Sequence, residues 1–341
     1  MKANQAAWIT GSKSFPLELG PAPFPEPGPG EIVIRTQAIA LNPVEWRVQT
    51  RAMFKNSYPF ILGVDAAGYV DQVGENVTHV QVGQRVMGYC MSLGVDKPAF
   101  GAYQKFPTVF ASLVAPIPDD VSFEQATVLP LALTTVAVGL YHPDHLALPL
   151  PSTKPAPVNK TILIWGGSSS VGDTAIQLAV ASGLEVVSTA SAHNHDLVKS
   201  LGAHLVFDHK SSSIVEDLVA EFSRREIVAV FDSISEPETM GPISAVVERT
   251  GPLKVGVVVP PTTPLSKNFL VSMSLAFELL NERGKEVLDA VWGTWVPEAL
   301  ASGYLQFKPE PVVVGQGLGS IQDGLDRLKR GVSAQKLVVR V

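Results

Sequence analysis

The stretch Thr161-Ile-Leu-Ile-Trp-Gly-Gly-Ser-Ser-Ser-Val-Gly172, continued by Asp173-Thr-Ala-Ile-Gln-Leu-Ala-Val-Ala-Ser-Gly183 and Leu184-Glu-Val-Val-Ser-Thr-Ala190, decides the fold. It reads as an apolar strand, a tight Gly/Ser turn, an amphipathic helix and a second strand, which together make a βαβ unit. Such a turn gathers free backbone N–H groups, the positive end of a helix dipole and several hydroxyls around one point, and that point suits a pyrophosphate. Ser169 stands where the usual dinucleotide fingerprint has its middle glycine. The flanking strands supply the context that the glycines alone lack.

The end of the second strand bears on which dinucleotide is bound. An NAD site usually carries Asp or Glu there, roughly 20 residues on, to hold the ribose 2′-hydroxyl. Here the residues are Thr189-Ala-Ser191-Ala192-His193-Asn194, with no carboxylate before Asp196. Hydroxyl, amide and imidazole donors favour a 2′-phosphate, so NADPH is expected over NADH. The same residues also read as an ordinary polar loop after a strand.

The chain has 341 residues, 46% of them apolar and 17% charged, which leaves room for two domains and an ample core. A net charge of −6, with no basic cluster, gives no support for nucleic-acid binding. The one cysteine, Cys90, excludes an internal disulfide and a Cys-rich zinc site, and reads as a core residue. The first eight residues lack the apolar centre of a signal peptide. The longest apolar stretch, 128–141, contains Pro130 and two threonines and reads as a buried helix too short to span a bilayer. A cytoplasmic protein with no membrane partner is expected.

Short strands punctuated by glycine fill the first third: Glu31-Ile-Val-Ile-Arg-Thr-Gln37, Gly68-Tyr-Val-Asp-Gln-Val-Gly74 and Gly83-Gln-Arg-Val-Met-Gly88, after a stiff proline-rich loop at 21–30. They predict a small barrel-like β domain. A helix over 124–141 and a proline-rich connection follow. Strands at 161–165, 184–190, 205–207, 227–232 and 253–259 then alternate with helical stretches, as in a doubly wound parallel sheet. The expected division is 1–121, 122–280 and a return to the first domain over 281–341, ending in an amphipathic helix at 321–329 and a strand at 336–341.

Taken together, Asn42-Pro-Val-Glu-Trp-Arg47, Gly63-Val-Asp-Ala-Ala-Gly68, Val82-Gly-Gln-Arg-Val86, Leu129-Pro-Leu-Ala-Leu-Thr-Thr135, the Gly/Ser loop and Gly202-Ala203 before Val206-Phe-Asp208 resemble the medium-chain dehydrogenase/reductase superfamily, in its zinc-free quinone-oxidoreductase-like branch. The likeness is collinear over essentially the whole chain. It implies an α/β fold with a GroES-like β-barrel catalytic domain and a Rossmann doubly wound parallel-sheet cofactor domain. Within the branch, Ser191-Ala-His-Asn194, Leu197-Val-Lys-Ser-Leu-Gly202, Val206-Phe-Asp-His-Lys210 and Gly331-Val-Ser-Ala-Gln-Lys-Leu-Val338 look most like the fungal trans-acting enoyl reductases, which reduce a polyketide held on a partner synthase. Arg47 stands where that group usually has lysine, and His209 where it usually has tyrosine.

The resemblance implies a set of site residues. Val44, Glu45, Trp46 and Arg47, then Ser168, Ser169, Ser170 and Val171, then Ser191, Ala192, His193, Asn194 and His209, with Val257, Val258, Ser333 and Ala334, would hold NADPH. Thr135 and Arg47 would stand at the reacting end, and Thr135, Phe277 and Leu280 would line the substrate pocket. Blander readings remain beside these: Arg47 paired with Glu45 at the surface, Thr135 bonded to its own helix backbone, His209 as a surface residue, and Phe277 with Leu280 as core.

The zinc-dependent relatives use a Cys near Arg47 and a His-Glu pair near Asp65, and neither is present, so no metal is expected. A metal-free enzyme needs a substrate that is already electrophilic: an activated C=C in an enone, a quinone or an α,β-unsaturated thioester, the last carried by a polyketide synthase. A stand-alone quinone or enone reductase and a non-catalytic NADPH-binding sensor are the alternatives. Pro260-Pro261 after 255–259 would blunt a sheet edge, so a monomer is expected.

Overall fold

The structure is a computed structural model that describes residues 2–54 and 57–341. The chain divides into two compact units, Met1–Leu131 with Phe307–Val341, and Ala132–Gln306. The boundaries fall later than 121/122 and 280/281. The short helix Phe123–Ala126 packs on the strands of the first unit, with Phe123 against Tyr69 at 5.0 Å between ring centroids and the Arg85 guanidinium 4.7 Å from the Phe123 ring. At the other end, Asn281 bonds His142, which keeps the segment after residue 280 with the second unit.

In the second unit six strands run parallel in the order Leu205–Asp208, Glu185–Ala190, Thr161–Trp165, Ile227–Asp232, Leu253–Val257, Phe269–Met273, among the described residues. The central strand Thr161–Trp165 is buried along its whole length, as expected for a strand covered on both faces. Helices Ser170–Ala181, Ile214–Arg224 and Pro237–Thr250 connect the strands. Leu218, Met240, Ile243 and Val246 pack against Leu163, Val230 and Val255 in one apolar core.

Two sequence expectations change here. The helix expected over 124–141 is two helices, Phe123–Ala126 and Pro130–Tyr141. Proline at 130 has no N–H to bond residue 126 and pushes Leu129 out of the helical region, so the first helix stops before it. By length and composition the span Phe123–Tyr141 could cross a membrane, but 78% of its apolar window is buried in the protein, as in a core helix. The strand at 253–257 is not the sheet edge either. Phe269–Met273 pairs beside it in register from Leu253↔Phe269 to Val257↔Met273, so the prolines at 260 and 261 begin a connection between neighbouring strands.

In the first unit seven of the described strands form one sheet, in the order Glu310–Gln316, Gln335–Arg340, Glu31–Ala40, Asp65–Val73, Arg85–Tyr89, Val114–Pro116, with Thr108–Phe110 also paired to Glu31–Ala40. A second sheet joins Glu18–Ala22, Asn4–Ile9 and Phe60–Ile61. Register shifts at Val33/Ile34 and Thr36/Ala38 bend the long strand pair, the device by which a sheet curls toward a barrel. Gly68 sits where the pair comes closest, because a Cβ there would lie 2.2 Å from the Arg35 carbonyl oxygen. Gly63 has φ +90°, and its missing Cβ makes room for the Tyr103 ring at 2.3 Å.

Candidate functional site

The Gly/Ser loop of the second unit is fixed from three directions. The Gly166 N–H donates to Thr189 Oγ1 (3.1 Å) and the Gly167 N–H to the Thr189 carbonyl (2.8 Å), which ties the loop to the neighbouring strand. Ser233, at the end of Ile227–Asp232, donates to the Trp165 carbonyl (2.6 Å) and lies 3.0 Å from Ser169 Oγ. Ser169 is the N-cap of Ser170–Ala181, and its hydroxyl accepts from the Gly172 N–H (3.0 Å). The first-turn N–H groups of Ser170 and Val171 have no carbonyl one turn back, and both residues are partly exposed, as is Ser168. A twelve-residue helix ending in free N–H groups, with hydroxyls beside them, fits a dinucleotide pyrophosphate. Asn194 donates to Ser168 Oγ at 3.2 Å and so joins its own turn to this loop.

At the end of strand Glu185–Ala190, Ser191 Oγ lies 3.1 Å from His209 Nε2. Ala192 and His193 are exposed beside them. No carboxylate takes part in the Ser191–His209 contact, and Asp208, next in chain to His209, spends Oδ1 on the Lys210 N–H (2.9 Å). Val257 is buried and Val258 half-buried, and the Val258 N–H donates to Ser235 Oγ (2.9 Å). Asp232 anchors that corner, accepting from the N–H groups of Ile234 and Ser235 (3.0 Å each) and from Thr239 Oγ1 (2.5 Å), while burial pushes its carboxyl above the usual range. Thr135 is buried in Pro130–Tyr141, only 8% exposed.

Phe277 and Leu280 lie half-buried on the short 3₁₀ turn Ala276–Leu280. Two histidines seat that turn. His145 Nε2 contacts Glu278 at 2.5 Å and its Nδ1 contacts Ser272 Oγ at 3.1 Å, while His142 Nε2 contacts Asn281 at 3.2 Å. These polar contacts hold the His142/His145 pair in place. Among the described residues no group of three or more His, Cys, Asp or Glu is placed to hold a metal ion.

In the first unit, Val44 to Arg47 occupy the first turns of helix Pro43–Arg51. Val44, Trp46 and Arg47 are partly exposed; the Arg47 guanidinium lies 5.3 Å and that of Arg51 5.5 Å from the Trp46 ring. Glu45 differs from its neighbours: it is fully buried, and its carboxyl accepts from the Asn42 N–H at the helix start. Its side chain therefore faces the core of its own unit. Ser333 is exposed and Ala334, at φ +48°, is half-buried just before strand Gln335–Arg340. Cys90 is buried, and burial holds its thiol well above the ordinary value, which keeps it inert.

Sequence reasoning placed Thr189 among the strand-end donors, where the structure has it tie the loop, and passed over Ser233, Ser235 and Asp232, which fix the loops without facing outward, and the buried pair Asp65 and Lys336. Small polar residues at the carboxyl ends of parallel strands were the available signal, since ligands of such sheets bind there.

The alcohol dehydrogenase GroES-like domain family matches residues 28–119, and the zinc-binding dehydrogenase family matches residues 170–301. The trans-enoyl reductase himH of Aspergillus japonicus is 44% identical over 340 residues, covering 99% of this chain and 97% of that protein. An alcohol dehydrogenase superfamily protein from Novosphingobium aromaticivorans superposes with a TM-score of 0.79 at 26% identity, over 99% of both chains. A mycobacterial protein solved in complex with NADPH shares the fold at a TM-score of 0.72 and 24% identity, over 99% of this chain and all of that one. The chain belongs to the medium-chain dehydrogenase/reductase superfamily and is an oxidoreductase related to fungal trans-enoyl reductases.

Proposed function

We propose that the protein is an NADPH-dependent, zinc-independent enoyl reductase that saturates an activated C=C, the substrate being a polyketide-type α,β-unsaturated thioester presented by a partner synthase in the cytoplasm. The observation that carries this reading is the end-to-end 44% identity to a trans-enoyl reductase. The Ser191–His209 contact supports NADPH over NADH, because a hydroxyl and an imidazole suit a 2′-phosphate that a carboxylate would repel.

When bound, the dinucleotide supplies a hydride; the rest is the work of this chain's own side chains and backbone. The N–H groups of Ser170 and Val171 and the hydroxyls of Ser168 and Ser170 bind pyrophosphate oxygens. Ser191, His193, Asn194 and His209 serve the adenosine phosphate. Arg47, permanently charged, holds an anionic oxygen, either phosphate or a developing enolate, and its high pKa makes it an orienting group and no proton donor. Thr135 offers a hydroxyl to a carboxamide. Reduction of an enoyl thioester places hydride on the β-carbon and a proton on the α-carbon, and donors aimed at the thioester oxygen lower that barrier.

The test is NADPH oxidation by the purified protein with a short 2-enoyl pantetheine thioester and a simple quinone run in parallel. Thioester turnover with NADPH preferred over NADH is the expected result. Turnover of the quinone alone would move the protein to the stand-alone reductases, and binding without oxidation of either would leave a specialised substrate or a silent sensor.

A further inference from the structure

One cluster of titratable side chains lies outside the cofactor-facing surface. Within the first unit, Glu45, Asp65 and Lys336 are respectively 0%, 0% and 4% exposed, and Asn42 joins them. Lys336 Nζ donates to Asn42 Oδ1 (2.5 Å) and lies 3.2 Å from Asp65 Oδ2. Asn42 Nδ2 donates to the same Asp65 oxygen at 2.8 Å, and Asp65 Oδ1 accepts from the Leu131 N–H at 2.6 Å. The Asn42 N–H donates to Glu45. The chain of contacts thus runs from the first turn of helix Pro43–Arg51, which carries Arg47, to strand Gln335–Arg340, which begins directly after Ser333 and Ala334.

Buried ionic groups are costly unless fully partnered, and a surface residue would serve mere packing at less cost. Here one ammonium faces two carboxyls, and the amide of Asn42 is bonded to the lysine and to both acids.

We propose that Glu45 and Lys336 are positioning residues, which hold the Arg47 helix and the Ser333–Ala334 segment in one register through Asn42 and Asp65. The inference rests on the reading that both segments face the cofactor. Its charge balance depends on Glu45 carrying a proton. Burial and the Asp65 carboxylate push Glu45 from 4.5 up to about 8, against the opposing Asn42 hydrogen bonds and Lys336 charge. Tyr89 and Tyr103, the other titratable groups beside it, are themselves held above their ordinary values by burial and stay neutral. Below that value one cation faces one anion; above it two anions share Lys336. Because the folded value is raised, the folded state holds more protons than the unfolded one between 4.5 and about 8. The stability from this group is complete below that window and lost as pH rises through it.

The test has two readings on the full-length protein. In the ligand-free protein, the folding constant should fall by up to about tenfold for each pH unit inside the window, and Glu45→Gln should flatten that slope. With NADPH added and no enoyl substrate present, the Kd should rise from pH 7 to 9 in the wild type and stay level in Glu45→Gln. Lys336→Met should weaken NADPH binding at least about tenfold, the scale of one lost charged contact, with Lys336→Arg recovering part of the loss. If Lys336→Met does not fold, Glu45→Gln decides the matter. The same pH slopes in Glu45→Gln as in the wild type, or unchanged NADPH affinity in folded Lys336→Met, overturn the inference. A wild type that binds no NADPH overturns the cofactor reading instead, and a failure of thioester turnover alone touches only the proposed reaction.

Discussion

Removing the Ser169 hydroxyl separates what holds the dinucleotide loop in shape from what touches the ligand. That hydroxyl makes two contacts, accepting from the Gly172 N–H at 3.0 Å and meeting Ser233 Oγ at 3.0 Å. Loss of a serine N-cap costs about 1 kcal/mol, within a range of ~0.5–2. Loss of one further neutral hydrogen bond costs about 1 kcal/mol more. Ser169→Ala should therefore destabilise the protein by ~1–2 kcal/mol in urea unfolding, with an unchanged m-value. Ser169→Gly should cost only a few tenths through the cap, since glycine is tolerated there, plus the Ser233 contact. Ser233→Ala leaves the cap in place, so the double variant should show a coupling of at least ~0.5 kcal/mol. A loop that must be re-ordered on binding loses about that free energy again, which raises the NADPH Kd by ~5–30-fold. Additive single-variant effects, together with an NADPH affinity equal to the wild type, would refute the view that this hydroxyl pair shapes the site.

Three other substitutions follow from single contacts. Gly63→Ala places a Cβ 2.3 Å from the Tyr103 ring at φ +90°, so thermal unfolding should show a loss of ~2–4 kcal/mol from overpacking and left-handed strain. Ser191→Asp introduces the missing carboxylate beside His209, and the ratio of kcat/KM for NADPH over NADH should fall by at least about tenfold, as one charged contact is worth ~1.5–3 kcal/mol. Asp232→Ala strands the Ile234 and Ser235 N–H groups and should cost ~2–6 kcal/mol by denaturant titration, about one to three for each donor left unpaired.

Periodicity and punctuation made the second unit legible: five of its six parallel strands begin and end within one or two residues of the apolar runs. The sixth, Phe269–Met273, was missed. Its residues Phe-Leu-Val-Ser-Met follow a polar, proline-rich connection and alternate weakly, with Leu270 and Val271 both exposed, so no period-2 signal marks it. The loop residues proposed to meet the ligand were visible through the Gly/Ser turn. Their supports were not, because Thr189 and Ser233 act across strands on loop residues 23 to 68 positions away in the chain, and Asp232 turns inward on its own corner. Lys336 is the sharpest case. A lysine in an alternating strand reads as solvent-facing, and only the folded sheet brings it to Asp65, a contact that spans most of the chain.

That span also sets an order of events during synthesis. Ala38, Ile39 and Ala40 pair with Arg340, Val339 and Val338, so the longest strand of the first unit, which pairs on one side with Asp65–Val73, has the second side of its end open until residues 338–340 have been made. The parallel sheet of the second unit is encoded wholly within Ala132–Gln306 and has everything it needs much earlier. The nascent chain therefore holds an open barrel, with Glu45 and Asp65 awaiting the buried ammonium of Lys336, while the middle of the protein is already able to fold. A chain cut before Gln335 loses that cation and the closing strand together, leaving an exposed strand edge for quality control to find.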